Sequence, residues 1–253
     1  MKIPTNLVVK IGTSVLTKDG MFTKAVINAL ARELTEFLKH GTKVSIVSSG
    51  AIGAGMTLVD QKTRPTSIEG LQALAAIGQR YLMQCWEEAF SKHHYSTAQI
   101  LLTRDDMTDE KRRSNAMKTL KEIQKLRHVP IINENDTVAT EEIKFGDNDQ
   151  LSAMLAKLIS ADLLVILSDT DGIFDGNGNK IPVVKEINES IFSHVKDKKN
   201  HFTVGGMRSK LEAIRNCTQA GIPVILASGG TSGLIQHVEK KDFGTYFNAK
   251  GEK

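Results

Sequence analysis

The chain has 253 residues, of which 40% are hydrophobic and 25% are charged, and it carries a formal net charge of +4. These values are typical of a soluble globular protein that forms one large domain or two lobes, and the mild positive charge suits an anionic small-molecule substrate. No stripe of basic and aromatic residues, bilayer-length apolar run or signal peptide is present, so we expect a cytoplasmic protein without nucleic-acid or membrane partners.

Six short apolar runs predict β-strands that are covered on both faces. They are rich in β-branched residues and do not alternate with polar ones. In chain order they are residues 7–9, 44–47, 99–102, 129–132, 163–167 and 223–226. Helical patterns lie between them at residues 23–40, 67–90, 115–126, 149–159 and 207–220. This alternation predicts an α/β fold with a mainly parallel sheet.

Small and polar residues directly follow each predicted strand. These segments are residues 10–14, 48–51, 103–105, 133–136, 168–172 and 228–230. In a parallel sheet the carboxyl ends of the strands share one edge, and ligands bind beyond that edge. One polar loop would mean little, but this many at one edge predict a binding site for phosphates and carboxylates.

Segment 133–149 is the most acidic part of the chain. Its carboxylates are Glu134, Asp136, Glu141, Glu142, Asp147 and Asp149. Carboxylates crowded at the mouth of a buried strand repel one another unless cations gather there. We therefore predict a site for an amine, a metal or a lysine cluster. A solvated polar loop is the alternative interpretation.

Three glycine-containing segments indicate anion sites. Lys10 and Gly12 end the first strand at a turn that offers backbone N–H groups, and Gly50 precedes a helix after the second strand. Residues 205–210 open a later helix with two glycines and a lysine. Neither a dinucleotide-binding motif nor a P-loop is matched. The alternatives are a lysine that reaches solvent, a tight turn and an ordinary helix start.

Taken together, these motifs resemble the amino acid kinase family over residues 7–247. The resemblance is carried by residues 8–16, 48–52, 101–104, 132–136, 143–149 and 205–207. Segments 8–16 and 146–149 resemble the branch that phosphorylates glutamate, rather than the acetylglutamate, aspartate, carbamate or uridylate branches. The resemblance implies a three-layer αβα sandwich around a roughly eight-stranded, mainly parallel sheet. Within one domain, residues 1–160 would form the amino-acid-binding lobe and residues 161–253 the ATP-binding lobe.

The resemblance also implies an activity. The γ-phosphoryl group of ATP would pass to the γ-carboxylate of L-glutamate, giving L-glutamyl 5-phosphate in the first step of proline biosynthesis. A γ-carboxylate has a pKa of about 4.3 and is ionised at neutral pH, so the reaction needs no general base. The family further implies Mg²⁺, feedback inhibition by proline, and a homodimer or homotetramer. No metal ligand is assigned, and Cys85 and Cys217 have no metal-binding spacing.

Site residues follow from the same resemblance. The residues expected to bind glutamate are Ser49, Asp136, Asp147 and Asn148. Those expected to act on the transferring phosphoryl group are Lys10, Gly12, Gly50 and Lys210, with Asp149 orienting the two lysines. The residues expected to contact ATP are Lys10, Ser168, Asp169, Val204, Gly205, Gly206, Met207, Arg208, Ser209 and Lys210.

The chain departs from the family pattern at three points. Ser168 and Val204 stand where threonine is common, and the chain ends before the C-terminal PUA domain that many relatives carry. Two other functions remain open: another kinase of this fold that forms an acyl phosphate, and a catalytically silent amino-acid sensor. The combination of Lys10, Lys210 and Asp149 argues against a sensor, which needs no groups that stabilise a transition state.

Overall fold

The computed structural model describes residues 2–18, 21–138, 148–193, 206–230 and 232–252. The strands are β1 Asn6–Ile11, β2 Thr17–Lys18, β3 Met21–Phe22, β4 Lys43–Ser48, β5 Ser96–Leu102, β6 His128–Glu134, β7 Leu163–Ser168, β8 Ile173–Phe174, β9 Lys180–Ile181, β10 Val183–Val184, β11 Val224–Ser228 and β12 Thr245–Phe247. The helices are α1 Thr13–Leu16, α2 Lys24–Lys39, α3 Ala51–Leu58, α4 Ile68–Ser91, α5 Arg104–Thr108, α6 Glu110–Lys125, α7 Asn148–Leu158, α8 Glu189–Ser193, α9 Met207–Gln219 and α10 Leu234–Lys240.

An eight-stranded sheet organises the molecule, with strand order β10-β12-β11-β7-β1-β4-β6-β5. Every neighbouring pair is parallel except β11 with β12. Strand β1 lies inside the sheet, where Ile11 is in register with Ser48 of β4 and Leu167 of β7. The carboxyl ends of these strands therefore meet at one edge, and the predicted mainly parallel α/β class is confirmed.

Helices cover both faces of the sheet. Along β1, Leu7, Val9 and Ile11 point into a core that α2, α3, α4 and α10 cover, whereas Val8 points into a second core beneath α7 and α9. This alternation follows from the two-residue period of a strand. Both cores are apolar, which explains why the central strands read as continuous apolar runs. The three-layer sandwich is confirmed.

Strand β5 departs from the prediction that all six apolar runs are covered on both faces. It forms one edge of the sheet, and of its seven residues only Leu102 is buried. An edge strand has one neighbour and less helix above it, which an apolar run by itself does not reveal. Strands β10 and β12 were not predicted, because they contain only two and three residues.

The predicted helices match the observed ones closely, except at the start of α6. This helix begins at Glu110 rather than near residue 115, because the Asp109 side chain accepts a hydrogen bond from the Arg112 N–H at 2.8 Å and caps it. Its first turn is polar and shows no apolar period. None of the helices in the described ranges is both long and apolar enough to cross a membrane.

Helices α3 and α4 cross at two glycines, and this crossing positions part of the site. A Cβ atom at Gly55 would lie 2.0 Å from the Leu74 carbonyl oxygen, and one at Gly78 would lie 1.9 Å from the Ala51 carbonyl oxygen. No side chain fits such distances, so the close approach requires glycine. The crossing places Gln79, the residue after Gly78, beside the carboxyl ends of β4 and β6.

Candidate active site

Lys10 occupies an unusual position for a lysine. Its side chain leaves β1 on the same face as Val8 and points towards α7 and α9, and the residue is only 5% exposed. A lysine in this position cannot reach bulk water, so its charge needs a partner inside the protein. Asp149, in the first turn of α7, provides it: Lys10 Nζ lies 2.6 Å from Asp149 Oδ1.

Lys210 approaches the same carboxylate from the other side. It lies in the first turns of α9, and its Nζ is 3.1 Å from Asp149 Oδ2. Burial by itself would raise the pKa of Asp149, but the ammonium groups of Lys10 and Lys210 outweigh burial and lower it. The carboxylate therefore stays ionised. Among the described residues, two lysines around one aspartate leave a net positive charge at this point, which suits an anion.

The sequence predicted that the Gly12 N–H faces a ligand, but the structure gives it another partner. That N–H donates to the Leu167 carbonyl oxygen at 3.1 Å and so continues the sheet. A Cβ at this position would lie 3.6 Å from Lys10 Nζ, so the glycine leaves space beside the ammonium group. The donors that this turn can offer to an anion are the first N–H groups of α1, at Thr13 and Ser14.

Two further helix starts face the same edge of the sheet. Gly50 caps α3 with a φ of +105°, a conformation that glycine adopts without strain, and Gly206 caps α9. Neither helix has a side-chain cap, so the N–H groups of its first turn have no partner within the helix. The N-terminal turn of a helix of this length favours negative charge.

A chain of polar side chains links β4, β6, α4 and α7. Asn148 Nδ2 donates to Ser49 Oγ and to Asn133 Oδ1, each at 2.9 Å, and Asn133 Nδ2 donates to Gln79 Oε1 at 2.8 Å. Asn133 and Asn148 are buried. Ser49, which accepts from Asn148, can still donate its own proton to a carboxylate. We call Ser49, Gln79, Asn133 and Asn148 the amide cluster.

Asp136 lies beside a cavity of about 340 Å³ that is bounded by α4, β5 and residues 134–137. Burial raises the pKa of Asp136 to about 6, and the positive charge of Arg64 opposes that rise. Burial likewise lowers the pKa of Arg64, and Asp136 opposes that change. A half-buried carboxylate whose ionised form is disfavoured gains from a cationic ligand.

The nucleotide-side predictions fall on the ends of β7 and α9. Ser168 is buried at the end of β7, and its hydroxyl donates to Asp169 Oδ1 at 2.9 Å. Met207, Arg208 and Ser209 form the first turn of α9, adjoining Lys210. Asp147, Val204 and Gly205 lie outside the described residues, as do Glu141 and Glu142 of the acidic segment.

The structure brings together residues that lie far apart in the chain and adds three to which sequence reasoning assigned no role. Lys10, Asp149 and Lys210 meet directly, and Ser49 meets Asn148. Gln79 and Arg64 were not predicted, and Asn133, although it lies in the predicted binding segment 133–136, was given no role of its own. The position of Asn133, directly after the buried run 129–132, was a usable signal, whereas Gln79 and Arg64 belong to no recognisable motif.

The described residues contain no group of three or more His, Cys, Asp or Glu side chains that could hold a metal ion. Asp149, the one fully buried carboxylate among the described residues, already faces two lysines. Lys10, Lys210 and Asp149 therefore suit an anion better than a resident cation. They suit Mg²⁺ only as an ion bound to phosphate oxygens and water.

Comparisons with known proteins show which family the chain resembles. The model of the amino acid kinase family matches residues 6–228. The chain is 40% identical to a glutamate 5-kinase of Clostridium tetani, covering 98% of this chain and 96% of that protein. It is 42% identical to a glutamate 5-kinase of Thermus thermophilus, covering 98% of this chain and 69% of that protein.

A solved structure shares the fold. Carbamate kinase from Giardia lamblia bound to AMP-PNP superposes with a TM-score of 0.66 at 16% identity, covering 98% of this chain and 99% of that one. At that identity the likeness concerns the fold alone. The family model, which matches most of the chain, and the relatives of similar sequence establish the relationship. The chain belongs to the amino acid kinase family.

Proposed function

We propose that this protein is an ATP-dependent glutamate 5-kinase. It transfers the γ-phosphoryl group of ATP to the γ-carboxylate of L-glutamate, which yields ADP and L-glutamyl 5-phosphate and begins proline biosynthesis. The observation that carries this proposal is the buried arrangement of Lys10, Asp149 and Lys210 between the amide cluster and the nucleotide-side residues. The relatives named glutamate 5-kinase support the choice of substrate.

The chemistry calls for positive charge rather than a base. A γ-carboxylate oxygen attacks the γ-phosphorus of ATP, and the bond from that phosphorus to the β–γ bridging oxygen breaks, so that ADP leaves. The attacking carboxylate is already ionised, and the barrier lies in bringing it towards an anionic phosphate. Lys10 and Lys210 offset that repulsion as charge develops on the transferred group. Asp149 keeps both ammonium groups at the reaction point.

Glutamate binds at the amide cluster and Asp136. The half-buried Asp136 carboxylate pairs with the substrate ammonium group, which removes the penalty that burial places on its charge. Ser49 donates its hydroxyl proton to a substrate carboxylate, and Asn148 offers a carbonyl oxygen. Asp147, which precedes Asn148 in the sequence, remains a proposed substrate contact outside the described residues.

ATP binds along β7 and the start of α9. The N–H groups of the first turn of α9, at 207–209, face the phosphates together with Lys10 and Lys210, while Ser168 and Asp169 contact the nucleotide beside them. Gly50 at the start of α3 and the turn after Gly12 add donors near the transferred group. Val204, Gly205 and Gly206, which precede this turn in the sequence, complete the residues proposed to contact ATP. Mg²⁺ bound to ATP would be held by phosphate oxygens and water and would neutralise part of the phosphate charge.

A trapping assay tests the proposal. The protein is incubated with ATP, Mg²⁺, glutamate and hydroxylamine, and γ-glutamyl hydroxamate is measured together with ADP. Hydroxamate should form with glutamate and not with N-acetylglutamate, aspartate or carbamate. Turnover of one of those compounds in place of glutamate would reassign the substrate. Glutamate binding without ADP formation would instead identify a catalytically silent sensor.

Several broader features are also proposals and rest on family membership. The amino-acid lobe spans residues 1–160 and the ATP lobe residues 161–253, and the protein forms a homodimer or homotetramer. Proline inhibits it by feedback. It works in the cytoplasm, where two buried, unpaired cysteines such as Cys85 and Cys217 remain reduced. Light scattering and inhibition by proline in the hydroxamate assay test the assembly and the feedback.

A further inference from the structure

One backbone N–H determines the orientation of the side-chain amides in the amide cluster. The Glu134 N–H donates to Asn133 at 2.8 Å, and because an N–H can only donate, the Asn133 atom that faces it is the carbonyl oxygen Oδ1. The other end of this amide, Nδ2, then faces Gln79 at 2.8 Å. Since Nδ2 is a donor, the Gln79 atom opposite it is the acceptor Oε1.

The same argument fixes the amide of Asn148. Asn133 Oδ1 also accepts from Asn148 at 2.9 Å, so the Asn148 atom that faces it is Nδ2. Asn148 Oδ1 therefore points the other way, and among the described residues it is a buried acceptor without a donor. A buried acceptor without a partner costs free energy, so a donor from a ligand would stabilise it. The ammonium group of an amino acid is such a donor.

We infer that Gln79 is a positioning residue that selects for the substrate's ammonium group by holding Asn133, and through it Asn148, in the orientation that presents Asn148 Oδ1. Gln79 Oε1 accepts from Asn133, so this acceptor acts through Asn133, whereas Gln79 Nε2 is buried and has no acceptor among the described residues. The inference deepens the proposed glutamate kinase function and rests on it.

The position of Gln79 fits this role. It lies on α4 directly after Gly78, at the crossing that brings α4 against the start of α3. If Gln79 loses its acceptor, Asn133 Nδ2 becomes a buried donor without a partner, and the cluster is then stabilised by other amide orientations. Asn148 Oδ1 would lose its defined direction. The Lys10, Asp149 and Lys210 group shares none of these hydrogen bonds and should be unaffected.

The test compares glutamate with glutarate, which has the same two carboxylates and no amino group. The variant Gln79→Met keeps the length of the side chain and removes the amide. We expect KM for glutamate to rise about tenfold, as for a lost buried hydrogen bond, with the inhibition constant of glutarate changed less than about twofold. KM for ATP should stay within about twofold. Gln84→Met, on an exposed position of the same helix, is the matched control.

A second variant separates the acceptor of Gln79 from its donor. Gln79→Glu keeps an oxygen for Asn133 Nδ2 and loses the NH₂ group, so it should retain the preference for glutamate over glutarate. Should Gln79→Met fail to fold, as judged by circular dichroism, Gln79→Ala removes the same acceptor beside the cavity and should show the same loss of preference.

Three results would overturn the inference: an unchanged preference without the acceptor, equal weakening of glutamate and glutarate, or a loss in Gln79→Glu as large as in Gln79→Met. Each of these results is read against a wild-type protein that forms γ-glutamyl hydroxamate. A wild type that forms none would instead overturn the proposed function, so the two failures are distinguishable.

Discussion

At the scale of single residues, the site depends on buried charges that compensate one another. Lys10 and Lys210 share the two oxygens of Asp149, at 2.6 Å and 3.1 Å. Pairs of this kind contribute little net stability because desolvation offsets attraction, so their arrangement is better explained by chemistry than by folding. Two ammonium groups held in place need no rearrangement when charge develops in the transition state.

Replacing either lysine should therefore affect the chemical step. We expect Lys10→Met and Lys210→Met each to lower kcat by on the order of a hundredfold or more, with a smaller change in KM for glutamate. Steady-state kinetics by ADP release measures this. Lys39→Met is the control, because Lys39 lies exposed on α2 in an ion pair with Glu36. Near-normal kcat in both buried variants would remove these lysines from the mechanism.

Asp136 predicts a pH dependence of glutamate binding. Burial raises its pKa to about 6, so in the protein without substrate it gains a proton as the pH falls through that value. A protonated Asp136 has no charge to offer the substrate ammonium group. KM for glutamate should therefore rise steeply below about pH 6 while KM for ATP rises less. In Asp136→Asn, KM for glutamate should be high at every pH and this steep rise should disappear.

The same residue predicts a gain in stability. Because the pKa of Asp136 is raised above its ordinary value of 3.8, the folded state holds this proton more tightly, and stability is lost as the pH rises from about 4 through about 6. Asp136→Asn should thus increase the free energy of unfolding near neutral pH by on the order of 2 kcal/mol. Urea denaturation measures this, and the difference should vanish below about pH 4. A less stable variant at neutral pH would contradict it.

At the scale of elements, the crossing of α3 and α4 decides where Ser49 and Gln79 of the proposed substrate site lie. Helix propensity alone favours alanine over glycine by about 1 kcal/mol inside a helix. At Gly78 we predict that alanine is instead less favourable than glycine, because the new Cβ would meet the Ala51 carbonyl oxygen at 1.9 Å.

Gly78→Ala should destabilise the protein by about 2 kcal/mol or more and raise KM for glutamate, since Gln79 and Ser49 lie on either side of the crossing. Thermal denaturation and glutamate kinetics measure both effects. Gly176→Ala is the control, because a Cβ there would meet nothing within 4 Å. A Gly78→Ala variant as stable as the wild type would show that α3 and α4 can move apart without loss of stability.

Local patterns predicted the interior elements well and the boundary elements poorly. The strand runs 44–47 and 163–167 lie inside β4 and β7, where both faces are covered and every position of the runs except Ser45 carries an apolar residue. Run 99–102 lies in β5, whose apolar residues are partly exposed because the strand has a neighbour on only one side. Whether a strand lies inside a sheet or at its edge depends on pairing with distant segments of the chain, so a short apolar run does not reveal it.

At the scale of the whole molecule, the two proposed lobes share one continuous sheet. Strand β1 pairs with β4 on one side and with β7 on the other. The Asp162 carboxylate, near the proposed boundary, accepts hydrogen bonds from the Thr5 and Asn6 N–H groups at 2.8 Å each. The shared sheet therefore joins the two proposed lobes, and we expect them to depend on each other for folding.

This dependence predicts that a fragment of residues 1–160 does not fold alone. It would leave the hydrogen-bonding edge of β1 and the apolar side chains beneath β7 without partners. We expect the fragment to show no cooperative thermal transition by circular dichroism. The full chain should unfold in one transition, and glutamate and ATP should both raise its midpoint temperature. A fragment with its own sharp transition would show that the lobes are independent units.

The sequence by itself determined the fold class, the five longest described helices and the segments at the carboxyl edge of the sheet, because apolar period and turn chemistry are local properties. Only the tertiary structure decided which polar groups meet. In the folded chain the Gly12 N–H donates to the Leu167 carbonyl oxygen, and Lys10 and Lys210 both pair with the Asp149 carboxylate. The tertiary structure also brought Gln79, which no motif marks, against Asn133. Such contacts join residues distant in the chain, and their partners follow from strand order and helix crossing, which no local pattern encodes.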